Sequence, residues 1–419
     1  MYEGYFSLGG VEVANNARVA AYAGRGSLCA CDGFADALGH DEYTTPETDP
    51  APWYDPLDPE SGLFGGLFVE SIDGLLDAPY DMGTTELAGD GATRARLRAS
   101  GRVLTVTGWL YAVDRCSAEW GKRWLSSVLA GCETCDGVDF CYFRCCPDDE
   151  DDARRNMRTL HRARLVNGPV VDQVARDRAG CARPVPMIRV RFQILTDPHV
   201  WRAPVAVVDE TVWPVPDGNE LCNIEWDTSG ECDPSNPDCV PGVNAPGRGC
   251  APNSECPPAP PPPRVPSATT GCACIPLYVV RQCADIPTDQ IPRQFTSALR
   301  ITVYAGEQEV RNLAITVYQN PRQLAPDEID ECRACGHYYI EHIPAESTLV
   351  IDGTTSRARM RCPGGVDTPG DRLVFGDGGG PLQHMTLRCG THYTICADMD
   401  TETYSELATL TVEAVTREV

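Results

Sequence analysis

No stretch of this chain approaches the roughly 20 consecutive apolar residues that a membrane-spanning helix needs, so membrane insertion by a helix is not expected. Positive charge is also scarce: 35 Lys and Arg stand against 60 Asp and Glu, a net charge of −25, and arginine carries nearly all the positive charge. Such a balance speaks against a nucleic-acid binder, because neutralising phosphates is the main sequence-independent source of affinity. Its simplest meaning is solubility. The usual catalytic frames are missing as well. None of the seven histidines (His40, His161, His199, His337, His342, His384 and His392) lies in an H-E-x-x-H pattern, and no serine lies in G-x-S-x-G. No catalytic residue, cofactor-binding residue or metal ligand is therefore assigned, and the expectation is a protein that is not an enzyme. The opening residues Met1 to Gly10 have no basic region, no sustained apolar run and no small-residue cleavage site, so no secretion signal is expected.

Cysteine, in contrast, is abundant, with 22 residues. That density usually marks an oxidised, extracellular protein. Three situations reconcile it with the missing export label: metal binding in the cytosol, a signal removed ahead of Met1, or release from the cell by lysis. Cys132-x-x-Cys135 with Cys141 and Cys145 has zinc-like local spacing, although the loop between the pairs is shorter than in common zinc modules. Cys332-x-x-Cys335 lies near His337 and His342. The cysteines between Cys222 and Cys274 are separated by turn residues and have no matching histidines, which suits disulfide staples in a segment with little core. Disulfides, a zinc site at Cys132, Cys135, Cys141 and Cys145, and free thiols all remain open. Cys145 and Cys146 are adjacent, so they should reach different partners.

The fold class read from the pattern is mainly β with a few helices. Residues 1–100 read as loops between short strands. Arg102 to Tyr111 is a β-branched strand, followed by a helix that Ser117 can cap and Gly131 can end, with Trp120, Trp124, Leu125, Val128 and Leu129 at helical spacing. The acidic run Asp148 to Asp152 reads as a solvated loop. From Met187 to Leu195, Ile188, Val190, Phe192 and Ile194 alternate with Arg189, Arg191 and Gln193, the signature of a half-buried strand with a wet outer face. Domains are expected at 1–213 and 275–419, with a Cys/Pro-rich insert or linker at 214–274 that ends in a polyproline run. After it come regular short strands: Ala298 to Tyr304, Leu313 to Tyr318, Thr348 to Ile351, Arg357 to Arg361, Leu373 to Phe375, Met385 to Arg388, Tyr393 to Ala397 and Leu407 to Val415. With hairpin signals at Asp352-Gly353 and Asp377-Gly378, they indicate a β-sandwich. Gly376 to Gly380 reads as a turn rather than a phosphate loop, because no helix or lysine follows it. Asp217 to Glu220 and Asp227 to Asp238 carry oxygen ligands but lack the EF-hand frame, and read as surface loop. Trp53, Tyr54, Trp201 and Trp213 could stack on sugar, with burial in a core or interface as the plainer alternative.

Phe6-Ser-Leu-Gly-Gly-Val-Glu-Val-Ala-Asn-Asn-Ala-Arg18-Val-Ala-Ala-Tyr22 resembles the start of minor tail proteins of siphophages infecting actinobacteria, related to the distal tail protein family. The likeness continues through the strand ending at Gly108, the helix with Trp124-Leu125 and Val128-Leu129, Arg158 to Pro169, and Ile188 to Leu195 before Asp197-Pro198. In the second half it touches Arg311 to Val317 and Ser347 to Gly353. It covers roughly 1–213 and 275–419 in pieces, and departs from the pattern in the cysteine load, the N-terminal loop region and the insert. The resemblance implies a structural virion protein with an N-terminal ring-forming domain containing one helix and a C-terminal galectin-like sandwich. It implies a homohexameric ring that joins the tail tube protein to the tail-tip hub protein or baseplate, with the tape measure protein as a further partner. Such a protein would be assembled in the bacterial host cytoplasm and located at the virion tail tip. Arg189, Arg191 and Gln193 then become candidates for contact between subunits, and negative charge lining a DNA channel would avoid retarding phosphates. The alternative is a tail-tip adhesin that binds a host-surface glycan.

Overall fold

The computed structural model describes all residues except 1–3, 25–30, 32, 78, 82–83, 87–91, 95–97, 132–136, 176–186, 214–220, 223–277, 287–291, 293, 330–333, 366, 377–379, 383–384, 389–390, 401–404, 406 and 419. As expected, the described chain is mainly β, with antiparallel sheets and four α-helices. It divides into two compact units: Met1–Ala203 with Arg417–Val419, and Pro204–Thr416.

The first unit opens with a hairpin of β1 (Tyr5–Leu8) and β2 (Val11–Asn15), turned at Gly9 and Gly10, whose φ of 57° and 83° suit residues without a Cβ. Helix α1 (Asn16–Tyr22) follows, capped by the Asn15 side chain, which accepts from the Arg18 N–H. Next come α2 (Phe34–Ala37) and the ten-residue strand β3 (Phe64–Asp73). Residues 1–100 are therefore more regular than their Gly/Pro/Asp content suggests. In β3 the apolar alternation is broken by Gly65-Gly66 and by register shifts between Phe64 and Gly66 and between Val69 and Ser71, which hides the strand from a period-two reading. Two short ribbons use β4 (Tyr80–Asp81), β5 (Thr84–Glu86), β6 (Ala92–Arg94) and β7 (Arg98–Ala99), the outer two pairing and the inner two pairing. They lead to β8 (Arg102–Ala112) and α3 (Arg115–Ala130).

Helix α3 has the expected core face and ends at Gly131, but its N-cap is Asp114. Ser117 sits one turn in and closes a capping box: its N–H donates to Asp114 Oδ1 at 2.8 Å, and its hydroxyl faces the Asp114 N–H at 3.2 Å. Gly121 lets the helix approach Phe64, since a Cβ there would lie 2.2 Å from the ring. After β9 (Val138–Phe143), the acidic run forms the start of α4 (Glu150–Asn156) rather than a loop. Asp149 caps it by accepting from the Asp152 N–H, carboxylates fill the first turn, and Arg154 and Arg155 fill the last, matching the helix dipole at both ends.

The 19-residue strand β10 (Met157–Ala175) belongs to two sheets. Its first part pairs with β9, and its second, from Arg164, pairs with β11 (Met187–Thr196). The switch falls at a register shift between Leu160 and Ala163, with Arg162 at φ 56°. Gly137 lies so close there that a Cβ would come within 2.7 Å of the Arg162 backbone. A strand that changes sheets at a bulge makes the corner of a sandwich. One sheet thus runs β2-β1-β9-β10 and on to β12 (Val200–Arg202), and the other runs β3-β8-β11-β10. Phe6, Val13, Leu67, Val106, Phe140 and Phe192 fill the space between, and Leu125 and Leu129 of α3 join the same core. A smaller cluster of Tyr5, Phe34, Phe143 and Ala153 packs around Cys31, which is bonded to Cys146.

The second unit contains β13 (Val205–Val212), β14 (Leu221–Cys222), β15 (Tyr278–Ile286), β16 (Thr296–Tyr304), β17 (Val310–Gln319), β18 (Ala334–Ile343), β19 (Thr348–Asp352), β20 (Arg357–Arg361), β21 (Asp367–Pro369), β22 (Val374–Phe375), β23 (Thr386–Leu387), β24 (Tyr393–Asp400) and all of β25 (Thr409–Glu418) but its last two residues, which belong to the first unit. One sheet is ordered β13-β25-β16-β19-β20-β21, with β23 against β16; the other is β14-β15-β24-β17-β18-β22. Leu299, Ile301 and Leu410 from the first meet Ile315, Ile340 and Ile395 from the second in one core, so this unit is a β-sandwich. Cys283 and Cys396 face each other in register on β15 and β24 and are bonded. The Asp352-Gly353 signal is the β19–β20 hairpin, where Asp352 Oδ1 accepts from the Thr354 N–H at 2.8 Å. The Asp377-Gly378 signal and nearly all of the 214–274 insert lie outside the described residues.

Candidate protein interface

The alternation read in β11 is realised in full. Val190, Phe192 and Ile194 are buried in the core, while Arg189, Arg191 and Gln193 point to the opposite, solvent face of the β3-β8-β11-β10 sheet. β8 supplies Val103, Thr105, Thr107 and Trp109 to that face, paired in register with Leu195, Gln193, Arg191 and Arg189.

Each polar side chain of β11 on this face already has a partner. Arg189 donates to Glu70 at 2.7 and 3.1 Å, and Trp109 Nε1 donates to the other Glu70 oxygen at 2.8 Å. The arginine lies 5.8 Å from the Trp109 ring centroid. The hydrogen bond from Trp109, with help from Arg189, holds the Glu70 carboxyl below its ordinary value. Arg191 pairs with Asp172 at 3.1 Å, and Gln193 reaches the Thr105 hydroxyl at 3.3 Å. Among these satisfied groups stand exposed apolar side chains: Val103 and Leu195, directly opposite each other and 47 % and 41 % exposed, together with Val170, opposite Arg191 and 50 % exposed. A surface whose charges are neutralised in pairs and whose remaining area is aliphatic loses less on being dehydrated by a partner than one that carries unpaired charges.

The edges of the same sheet are poorly suited to strand addition. On β3, the Asn16 side-chain amide bonds both backbone groups of Val69: Oδ1 accepts from the N–H at 2.9 Å, and Nδ2 donates to the carbonyl at 3.0 Å. The amide thus stands where a neighbouring strand would sit. On β10, Pro169 lacks an N–H and three register shifts interrupt the ladder, features that blunt an edge. The face, not the edge, is what this sheet offers.

The other sequence candidates are dispersed or engaged elsewhere. Cys141 lies half-buried on β9, 3.6 Å from the Thr159 hydroxyl, and burial pushes its thiol up; Cys145 is exposed beyond the end of the strand. Cys132 and Cys135 lie outside the described residues, as do the acidic stretches at 217–220 and 227–238. No group of three metal-binding side chains occurs among the described residues. His337 meets Thr316 at 3.1 Å and His342 meets Glu309 at 3.0 Å. Trp53, Trp201 and Trp213 are core residues, which removes them as sugar platforms, and Tyr54 is half-buried against the same core as Trp53.

A buried polar network in the first unit had no clear sequence signal. Arg18 Nε donates to Glu12 at 2.8 Å, and its guanidinium lies 4.3 Å from the Tyr43 ring centroid. Asn15 donates to both Glu12 and Tyr43 at 3.0 Å. The Glu12, Asn15, Arg18 spacing of three hints at a shared site, but Tyr43 lies 28 residues beyond Asn15 in a segment that reads only as loop.

No protein-family model matches the chain, and no curated protein matches it. Among solved structures, the chain is similar to the crystal structure of the SPP1 Dit protein, described as a paradigm of the hub adsorption apparatus in phages infecting Gram-positive bacteria. The identity is 10 %, the TM-score 0.36, and the match covers 86 % of this chain and 96 % of that one. A TM-score that low carries no argument about fold or function.

Proposed function

We propose that this chain is a structural component of a phage tail, a distal tail or minor tail protein whose first unit associates with copies of itself into a ring between tail tube and tail-tip hub. The observation that carries the proposal is the outer face of the β3-β8-β11-β10 sheet: charges paired within the chain, aliphatic side chains left exposed, and edges blunted against strand addition. The order of sequence pieces resembling tail proteins supports it, because Phe6–Tyr22, the strand through Gly108, the α3 core face and β11 all belong to the same folded unit. A hexamer, and contacts with tail tube, hub and tape measure proteins, follow from that resemblance.

The test is the mass of the full chain in solution by light scattering, alongside a Val103→Asp/Leu195→Asp double variant. The expected result is a closed oligomer of about six copies, lost in the variant while its far-UV circular dichroism is unchanged. A full chain that stays monomeric at high concentration, or a variant that assembles as the parent does, would overturn the assignment. Glycan capture by the full chain without any oligomer would favour the adhesin reading.

A further inference from the structure

In a chain of net charge −25, one place in the first unit brings cations together with little carboxylate to match them. Arg102, at the start of β8, is 2 % exposed. Its guanidinium donates to three backbone carbonyls, those of Gly74, Leu75 and Pro198, at 2.7, 2.8 and 3.2 Å, and its Nε has no acceptor among the described residues. Pro198 leads directly into His199, which meets the Trp201 ring edge-on at 6.2 Å. Arg417 faces Trp201 across the β12–β25 ladder. Among the described residues Arg417 makes no ion pair, whereas the neighbouring Glu418 is occupied by Arg158 and Arg202 at 2.9 and 2.7 Å. Strand alternation puts the Glu418 cluster on one side of this short ladder and Arg417, with Trp201 and His199, on the other.

From this geometry we infer that Arg102, His199 and Arg417 form a binding site for an oxyanion, a carboxylate or a phosphate. Such a site would combine a fixed buried cation, a half-buried cation and a half-buried imidazole that can donate once protonated. The electrostatics agree: burial, then Arg417, then Arg102 hold His199 below its ordinary value, and burial holds Arg102 below its own, with Tyr142 and then Asp77 acting the other way. An arriving anion offsets both cations, so it should restore the histidine's basicity.

The experiment is an NMR titration of the histidine ring signals of the full chain, in chloride buffer, with inorganic phosphate in one series and hexaglutamate peptide in another. The expected result is a saturable shift of the His199 signals and an upward move of its pKa by about one unit. An Arg417→Gln variant should lose both, while the His161 signals stay in place as a check on folding. A response to phosphate assigns the site to small oxyanions; a response to hexaglutamate alone assigns it to an acidic peptide segment. No saturable shift with either probe, or the same shift in Arg417→Gln, would overturn the inference.

Discussion

Asn16 offers a sharp test of how the first unit is held. Its amide replaces a strand, satisfying the Val69 N–H at 2.9 Å and the Val69 carbonyl at 3.0 Å inside a buried environment. Asn16→Ala removes both partners and leaves two backbone groups without a hydrogen bond inside the folded chain. Each such group costs about 1–3 kcal/mol, so the expected loss is about 2–5 kcal/mol after partial relaxation. Asn16→Asp separates the two halves: a carboxylate still accepts from the Val69 N–H but faces the carbonyl with another acceptor, so it should not restore stability. Urea unfolding followed by tryptophan fluorescence reports mostly on this unit, where Trp53, Trp109, Trp120, Trp124 and Trp201 reside. With the amide gone, the β3 edge is free to pair with other chains, so the alanine variant should also aggregate in a concentration-dependent way. A midpoint within about 0.5 kcal/mol of the parent, with no added aggregation, would refute the idea that the amide closes this edge.

Glu418 should matter out of proportion to its distance along the chain from the strands it serves. Glu418→Gln leaves Arg158, 2 % exposed, without its charge partner, and should cost about 3 kcal/mol in a urea melt at neutral pH. Burial alone would raise the Glu418 carboxyl, but Arg158 and Arg202 hold it below the ordinary 4.5. Because the folded value lies beneath the unfolded one, its stabilisation is complete above about pH 4.5 and fades as pH falls through the folded value; the parent and Glu418→Gln should therefore converge in acid, and parallel pH profiles would contradict this. The Cys31–Cys146 bond spans 115 residues of sequence, and a Cys31→Ala/Cys146→Ala variant should lose about 2–4 kcal/mol in thermal or urea unfolding. Peptide mapping without reductant should recover that pair and Cys283–Cys396; free thiols at all four positions in mature protein would exclude both staples.

Where side chains repeat with a clean period, the fold was readable. The alternation from Ile188 to Ile194 lies within β11 and matches its ends within two residues, and the three- and four-residue spacing from Trp120 to Leu129 lies within α3, whose cap stands three residues ahead of the expected Ser117. Where a backbone irregularity or a distant partner decides, it was not. Gly65-Gly66 and a bulge disguise β3, and the run Asp148 to Asp152 looks like solvated charge until Asp149 is seen capping α4. Of the candidate face, Arg189, Arg191 and Gln193 could be placed from β11 alone. Glu70, Asp172, Val103 and Val170 could not, because sheet order and bulges bring them alongside, and neither is encoded at short range.

The first unit is written in two separate passages of the gene. Its polypeptide leaves at Ala203 and comes back only at Arg417, and the returning residues pair with β12 and give Arg158 its carboxylate. A ribosome must therefore translate past the whole of the second unit before the first-made unit can close, and everything between is an insertion inside a fold still waiting for its last strand. For laboratory dissection, a fragment cut after residue 213 carries a buried guanidinium with no counter-ion. A faithful minimal version needs residues 417 and 418 reattached behind Arg202 by a short linker, a circular logic that also makes late truncations damage the earliest-built part.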